Sequence, residues 1–160
     1  MDSMCSLYIQ RAENELNLAM MILRISDDKE LQISVFSLKE DTYYSGVISH
    51  AYYCIFYAAK AYLLAKGIKT KPPEEHRKTF EEFSHFVENG VLDVELLRIY
   101  KSMIIKADTL LGIFGAEKEK RGRFTYRKMP QANREPAKES AGNGEFFFKN
   151  VYMLINALEK

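Results

Sequence analysis

The sequence predicts an all-α protein, an antiparallel up-down bundle of four to five helices, on three observations. Apolar residues recur at helical spacing in several long segments. No stretch alternates apolar and polar residues for long enough to make a strand. One segment, Tyr43 to Lys66, is apolar on every face. A helix in that segment is buried nearly all round, and the chain is organised about it. At 3.6 residues per turn it shows a seam of Tyr44, Ile48, Ala51, Ile55, Ala58 and Tyr62. Beside it runs a seam of small residues, Val47, Ala51, Cys54, Ala58, Ala61 and Ala65, which lets a neighbouring helix come close. A third stripe, His50, Tyr53, Tyr57 and Lys60, carries polar atoms at steady spacing and is the expected edge of a functional groove.

A first helix is expected from Ser6 to Ile25, with Ile9, Ala12, Leu16, Met20 and Leu23 as its apolar seam. Ser26, Asp27 and Asp28 interrupt it. The following LQISVFSLKEDT is too short and mixed to choose between a short helix, an extended piece and a loop, so residues 26–42 are read as a connection. The central helix stops at Lys66 and Gly67, where glycine takes the left-handed conformation that ends helices, with Ile68 as apolar cover. After a stiff loop, a short third helix is expected with Pro73 in its first turn and Glu74 and Glu75 at the positive end of its dipole, running to about Glu88. Asp93 caps a long fourth helix whose seam is Leu97, Tyr100, Ile104, Ala107, Leu111 and Phe114. That helix loses its apolar positions in AEKEKR, and the stretch after Gly122 reads as a loop or a frayed helix end. A fifth helix can start at Arg134 and keeps the seam Ala137, Ala141, Gly144, Phe148, Val151, Ile155 and Leu158. Gly142 and Gly144 each cost such a helix about 1 kcal/mol relative to alanine.

At 160 residues and 47% hydrophobic content, a single domain over 1–160 with a real core is expected. The longest apolar run, Ala51 to Ala59, is about half of the roughly 20 residues that a spanning helix needs, so no membrane segment is expected. The opening residues lack a basic, then apolar, then small-residue pattern, which places the chain in the cytoplasm. Cys5 and Cys54 lie on different helices and read as free thiols with a structural role.

Each of the three histidines has a plain reading beside a chemical one. His50 lies within the buried helix, as a hydrogen-bonded core histidine or a catalytic one. His76 falls in the first turn of helix three among Glu74, Glu75 and Arg77, where an exposed role is expected. His85 completes Glu82-Phe-Ser-His85, the Glu-x-x-His spacing of di-iron bundles. No second such pair exists, so no metal and no cofactor are expected. There is also no glycine-rich phosphate loop.

The strongest local signal is charge. Between Lys118 and Arg134 lie seven basic residues against one acidic residue, Glu119, about +6 in a chain of +1. Phe124 and Tyr126 are interleaved with them. Arginine forks clamp phosphate oxygens and aromatic rings stack on unpaired bases, so the composition suits single-stranded RNA or a nucleotide. A solvated helix end explains the basic residues as well, and both readings stay open.

HAYYCIFYAAKAYLLAKGI (50–68), EEHRKTFEEFSHFVENGVLD (74–93) and the helix ending in EKRGRFTY (119–126) resemble the HEPN domains, in particular small stand-alone prokaryotic members. The resemblance covers roughly residues 43–128. It implies an antiparallel helical bundle that pairs as a homodimer about a cleft, and for many members a small nucleotidyltransferase partner in toxin-antitoxin systems. Members that cleave RNA without metal share an Arg that binds the scissile phosphate and, a few residues on, a His that serves as acid or base. Arg121 falls on the Arg position, Gly122 replaces the polar residue that follows it, and Tyr126 stands where His is expected. A phenol with a pKa near 10 is a poor base at neutral pH. On an unbroken helix Arg121 and Tyr126 are also about 140° apart, so they converge only if the helix ends near Gly122 or two subunits each supply one.

The resemblance thus implies candidate catalytic residues Arg121, Tyr126 and His50, the last replacing the missing histidine. It implies phosphate binding by Arg121, with Arg123, Arg127 and Lys128 in support. The leading expectation is a nucleotide- or RNA-binding protein working with a nucleotidyltransferase. The alternatives are a metal-independent ribonuclease and a purely structural dimer.

Overall fold

Five α-helices and one π-helical turn carry the chain in the computed structural model, which describes residues 3–111 and 133–158. They are α1 (Ser3–Asp27), the π turn (Leu31–Val35), α2 (Tyr44–Ala65), α3 (Glu75–Glu88), α4 (Val94–Leu111) and α5 (Arg134–Leu158). There is no strand among the described residues. The fold is an all-α up-down bundle. α1 runs antiparallel to α2, with the Cys5 thiol donating to the Ala61 carbonyl at one end and Ile22 against Gly46 at the other. α4 runs antiparallel to α5, with Tyr100 beside Phe147 and Lys106 paired to Glu139 at 2.9 Å. α3 is a short helix that packs on α2 and α4.

α2 is the centre. α1, α3, α4 and α5 all pack on it, and fourteen of its residues are buried. Its small residues explain how. Gly144 of α5 sits so close to Ala51 that a Cβ built on it would lie 3.5 Å from the Ala51 Cβ, and the Cys54 thiol reaches the Gly144 carbonyl at 3.7 Å. Gly142 faces open space, so only Gly144 is explained by packing. Both cysteines are free and buried, and burial pushes the Cys54 thiol well up from its ordinary value. The excess of apolar surface on α2 is thus absorbed largely within one chain.

Helix ends follow the expected chemistry in most places. Gly67 at φ 81° ends α2, with the Ile68 amide donating back to the Leu63 carbonyl at 2.8 Å. The Asp93 carboxylate accepts from the Glu95 amide at 2.8 Å and caps α4. Several expectations need correction. Pro73 is not in the first turn of α3, because Glu74 is left-handed at φ 60° and the helix begins at Glu75. On α1 the seam drifts from the expected line: Ala19 is fully buried whereas Met20 is exposed. On α4 and α5 the buried line includes Leu96, Ile99, Met103 and Phe147, while Leu111 and Leu158 are exposed. A five-to-seven residue ladder tracks one line, whereas a helix packed on two neighbours buries a broader stripe.

The connection 28–43 is held by one side chain. Gln32, fully buried in the π turn, donates from Nε2 to the carbonyls of Ile25 (2.6 Å) and Asp41 (2.9 Å) and accepts at Oε1 from the Asp41 amide (2.9 Å). Ser26 Oγ accepts from the Tyr43 amide at 2.9 Å, which fixes the entry to α2. Gln32→Leu would remove all three of these bonds, leaving the Ile25 carbonyl with the Asp28 amide alone at 3.4 Å. It is expected to lower stability by about 3 kcal/mol, given about 1–3 kcal/mol for each buried unsatisfied group, as read by urea denaturation.

Candidate functional site

One side of α2 is left open. Among the described residues α1 and α3 both pack on α2 but not on each other. The floor of the groove between them is the stripe His50, Tyr53, Tyr57 and Lys60, of which the first three are half-buried. The wall on α1 comes from Tyr8, Arg11 and Glu15, spaced at three and four residues and so on one helical face. The opposite wall is the start of α3, Glu75 and His76.

The rings form a continuous stack. Tyr53 and Tyr57 lie 6.2 Å apart at 27°, and Tyr57 and Tyr8 lie 6.2 Å apart at 14°. The Arg11 guanidinium sits over Tyr57, 5.6 Å from its centroid. Lys60 is buried, with its ammonium 4.4 Å from the Tyr8 centroid and paired to the Glu75 carboxylate. A buried ammonium is costly unless paired, and here it gains both a carboxylate and a ring face.

His50 Nδ1 lies 2.6 Å from Glu15 Oε2. An ionised carboxylate only accepts, so Nδ1 carries the hydrogen and Nε2 is the basic nitrogen of the neutral ring. This carboxylate-oriented imidazole is more than a core histidine, and at 32% side-chain exposure it can be reached from solvent.

His76 is not the exposed residue that its acidic neighbours suggest. Its ring stacks on Phe56 at 3.9 Å, meets Tyr53 edge-on at 5.9 Å, and Nδ1 lies 2.8 Å from the Tyr52 hydroxyl. Burial, with smaller contributions from Tyr53 and Asp108, pushes the Tyr52 phenol well up, so Tyr52 stays a neutral hydroxyl in its hydrogen bond with His76, whose direction follows the His76 tautomer. Burial also pulls His76 down from its ordinary value, Glu75 opposing and Lys60 adding to the shift. His85 is exposed on α3, 3.9 Å from Glu82, and no cluster able to hold a metal exists among the described residues.

Arg121, Arg123, Tyr126, Arg127 and Lys128 lie outside the described residues. Of the basic segment, Arg134 is described, and it is committed to Asp27 (3.0 and 3.1 Å) and Glu135 (3.0 Å). The groove partners Tyr8, Arg11, Glu15 and Tyr52 were not picked out from sequence. The Tyr8-Arg11-Glu15 spacing is the signal that could have found three of them, since it is a polar stripe on the helix predicted to neighbour α2.

The His76 shift has a sign. With its folded value below the unfolded one, the unfolded chain binds more protons between the two. Stability is then full above about pH 6.5 and falls as pH drops toward the folded value. His76→Gln is expected to flatten that part of the stability profile, and NMR titration should place His76 below 6.5.

Residues 28–103 match the family model of the HEPN domain. The match spans the π turn, α2, α3 and most of α4, and includes the floor of the groove and its α3 wall. It begins upstream of the resemblance read from sequence and stops before the basic segment. A comparison with curated proteins finds no match. No helix of the described residues is long and apolar enough to cross a membrane. Over residues 28–103, just under half of its length, the chain is similar to the HEPN domain family.

Proposed function

We propose that the chain is a nucleotide- or RNA-binding HEPN protein whose binding face is the open strip of α2. The observation that carries this reading is the aromatic stack Tyr53-Tyr57-Tyr8, half-buried in a groove with Arg11 over one ring. Half-buried aromatic rings lining a groove suit contact with unpaired bases. Charge supports it. The segment 118–134 is about +6 in a chain of +1 and follows α4 in sequence. Within that segment Arg121 contacts phosphate, with Arg123, Arg127 and Lys128 in support and Tyr126 as a stacking or hydrogen-bonding group. The protein acts in the cytoplasm as a single domain over 1–160, as a homodimer and with a nucleotidyltransferase partner in a toxin-antitoxin-like or regulatory system. The exposed run Ile33, Val35, Phe36 and Leu38 is an apolar surface available for pairing.

Single-stranded RNA is expected to bind with an affinity that falls steeply between 50 and 200 mM salt, as phosphate contacts release counterions. Tyr53→Ala and Tyr57→Ala should each weaken binding about tenfold, the scale of one lost stacking contact. Arg121→Ala should reduce the salt slope. Salt-insensitive binding, or none, would leave a structural dimer, whose state sedimentation reads.

A second reading is favoured by one contact, the 2.6 Å pair of Glu15 and His50. It makes the protein a metal-independent ribonuclease with His50 as base and Arg121 on the scissile phosphate. RNA held with the protein in EDTA separates the two. Binding alone leaves it intact, which is the expected result. Cleavage abolished by His50→Gln would establish the second reading, and cleavage surviving Arg121→Ala would remove that residue from the site.

A further inference from the structure

At the Lys60 end the groove opens into a pocket of about 290 Å³, formed where the start of α1 meets the loop between α2 and α3. Its lining is mixed, with Met4, Leu64 and Ile68 supplying an apolar part beside the Lys60–Glu75 pair. Tyr8 stands at the junction with the groove, held between Lys60 on one side and Tyr57 on the other. The charges are divided by depth. Deep in the pocket the buried Lys60 is neutralised by Glu75, so that end offers an anion no net attraction. At the rim the backbone alternates, with Ile68 and Thr70 turned in and half-buried and Lys69 and Lys71 exposed. Thr70 is fixed there by its hydroxyl contact with Thr79 at 2.7 Å. The loop is thus a tethered strand that presents two lysines over a partly apolar cup.

We propose that this pocket takes the terminal nucleotide of a single-stranded RNA, its base in the cup and its terminal phosphate between Lys69 and Lys71. The inference rests on the RNA-binding reading and adds the polarity of the bound strand. Three considerations carry it. The volume, at the lower end of small-molecule sites, is on the scale of one nucleotide. A terminal phosphomonoester carries about −1.5 to −2 at neutral pH, against one charge on an internal diester, so two rim lysines favour an end over a middle. Lys60 lies ten residues from His50 on the same helix, about 15 Å, so a strand lying along the exposed edges of Tyr53, Tyr57 and Tyr8 reaches the cup.

The test uses the whole chain and one oligoribonucleotide of about ten nucleotides in three forms: 5′-phosphorylated, 3′-phosphorylated, and with hydroxyls at both ends. One phosphorylated form is expected to bind about tenfold more tightly than the hydroxyl form, the scale of one charge-assisted hydrogen bond. Which form it is gives the direction of the strand. The preference should vanish in the double variant Lys69→Ala, Lys71→Ala, both exposed positions. It should survive the equal loss of charge in Lys29→Ala, Lys101→Ala, away from the pocket. Equal binding of all three forms, or a preference that survives the rim variant, overturns the pocket assignment while RNA binding stands. Binding of none of the three overturns both.

Discussion

The close approach of α5 to α2 is the constraint on which the rest of the structure depends. With Gly144 against Ala51 and Cys54 reaching the Gly144 carbonyl, the two helices meet along small side chains, without large groups between them. Interiors pack as densely as organic crystals, so a seam this close fixes the other helices as well. α4 follows α5 through the Tyr100, Phe83 and Phe147 rings, α3 follows α4, and α1 is carried by α2 and α5. The side of α2 between α1 and α3 is what this arrangement leaves uncovered.

Polar groups survive on that side because each is held by a neighbour on another helix. Lys60 finds Glu75, His50 finds Glu15, and His76 finds Tyr52. The two latter pairs differ in kind. A carboxylate orients the His50 ring and leaves a basic nitrogen for solvent or substrate. A phenol shares a hydrogen bond with His76, which burial holds below its ordinary value among aromatic rings. The first arrangement leaves a ring nitrogen toward solvent, and the second is a hydrogen-bonded hub that fixes the start of α3 on α2.

The helices were legible from sequence because the 3.6-residue period runs long in each of them, and the stripe His50, Tyr53, Tyr57 and Lys60 was legible because α2 is otherwise apolar. The partners of that stripe were less so. Glu15 and Arg11 sit on a helix with many polar residues, and periodicity shows which face is buried without saying which polar residue meets a neighbour. His76 misled for a similar reason: the charges beside it in sequence point outward, while the ring turns inward onto Phe56. Gln32 was hidden because a buried glutamine in a π turn has no period to betray it.

Lys60 touches both walls of the groove, Tyr8 on α1 and Glu75 on α3, whereas the walls do not pack on each other. One side chain therefore ties the two walls at one end of the groove, while at the other the Glu15–His50 pair ties the α1 wall to the floor. The width of the groove at the Tyr53 and His50 level depends on how α1 leans on α2.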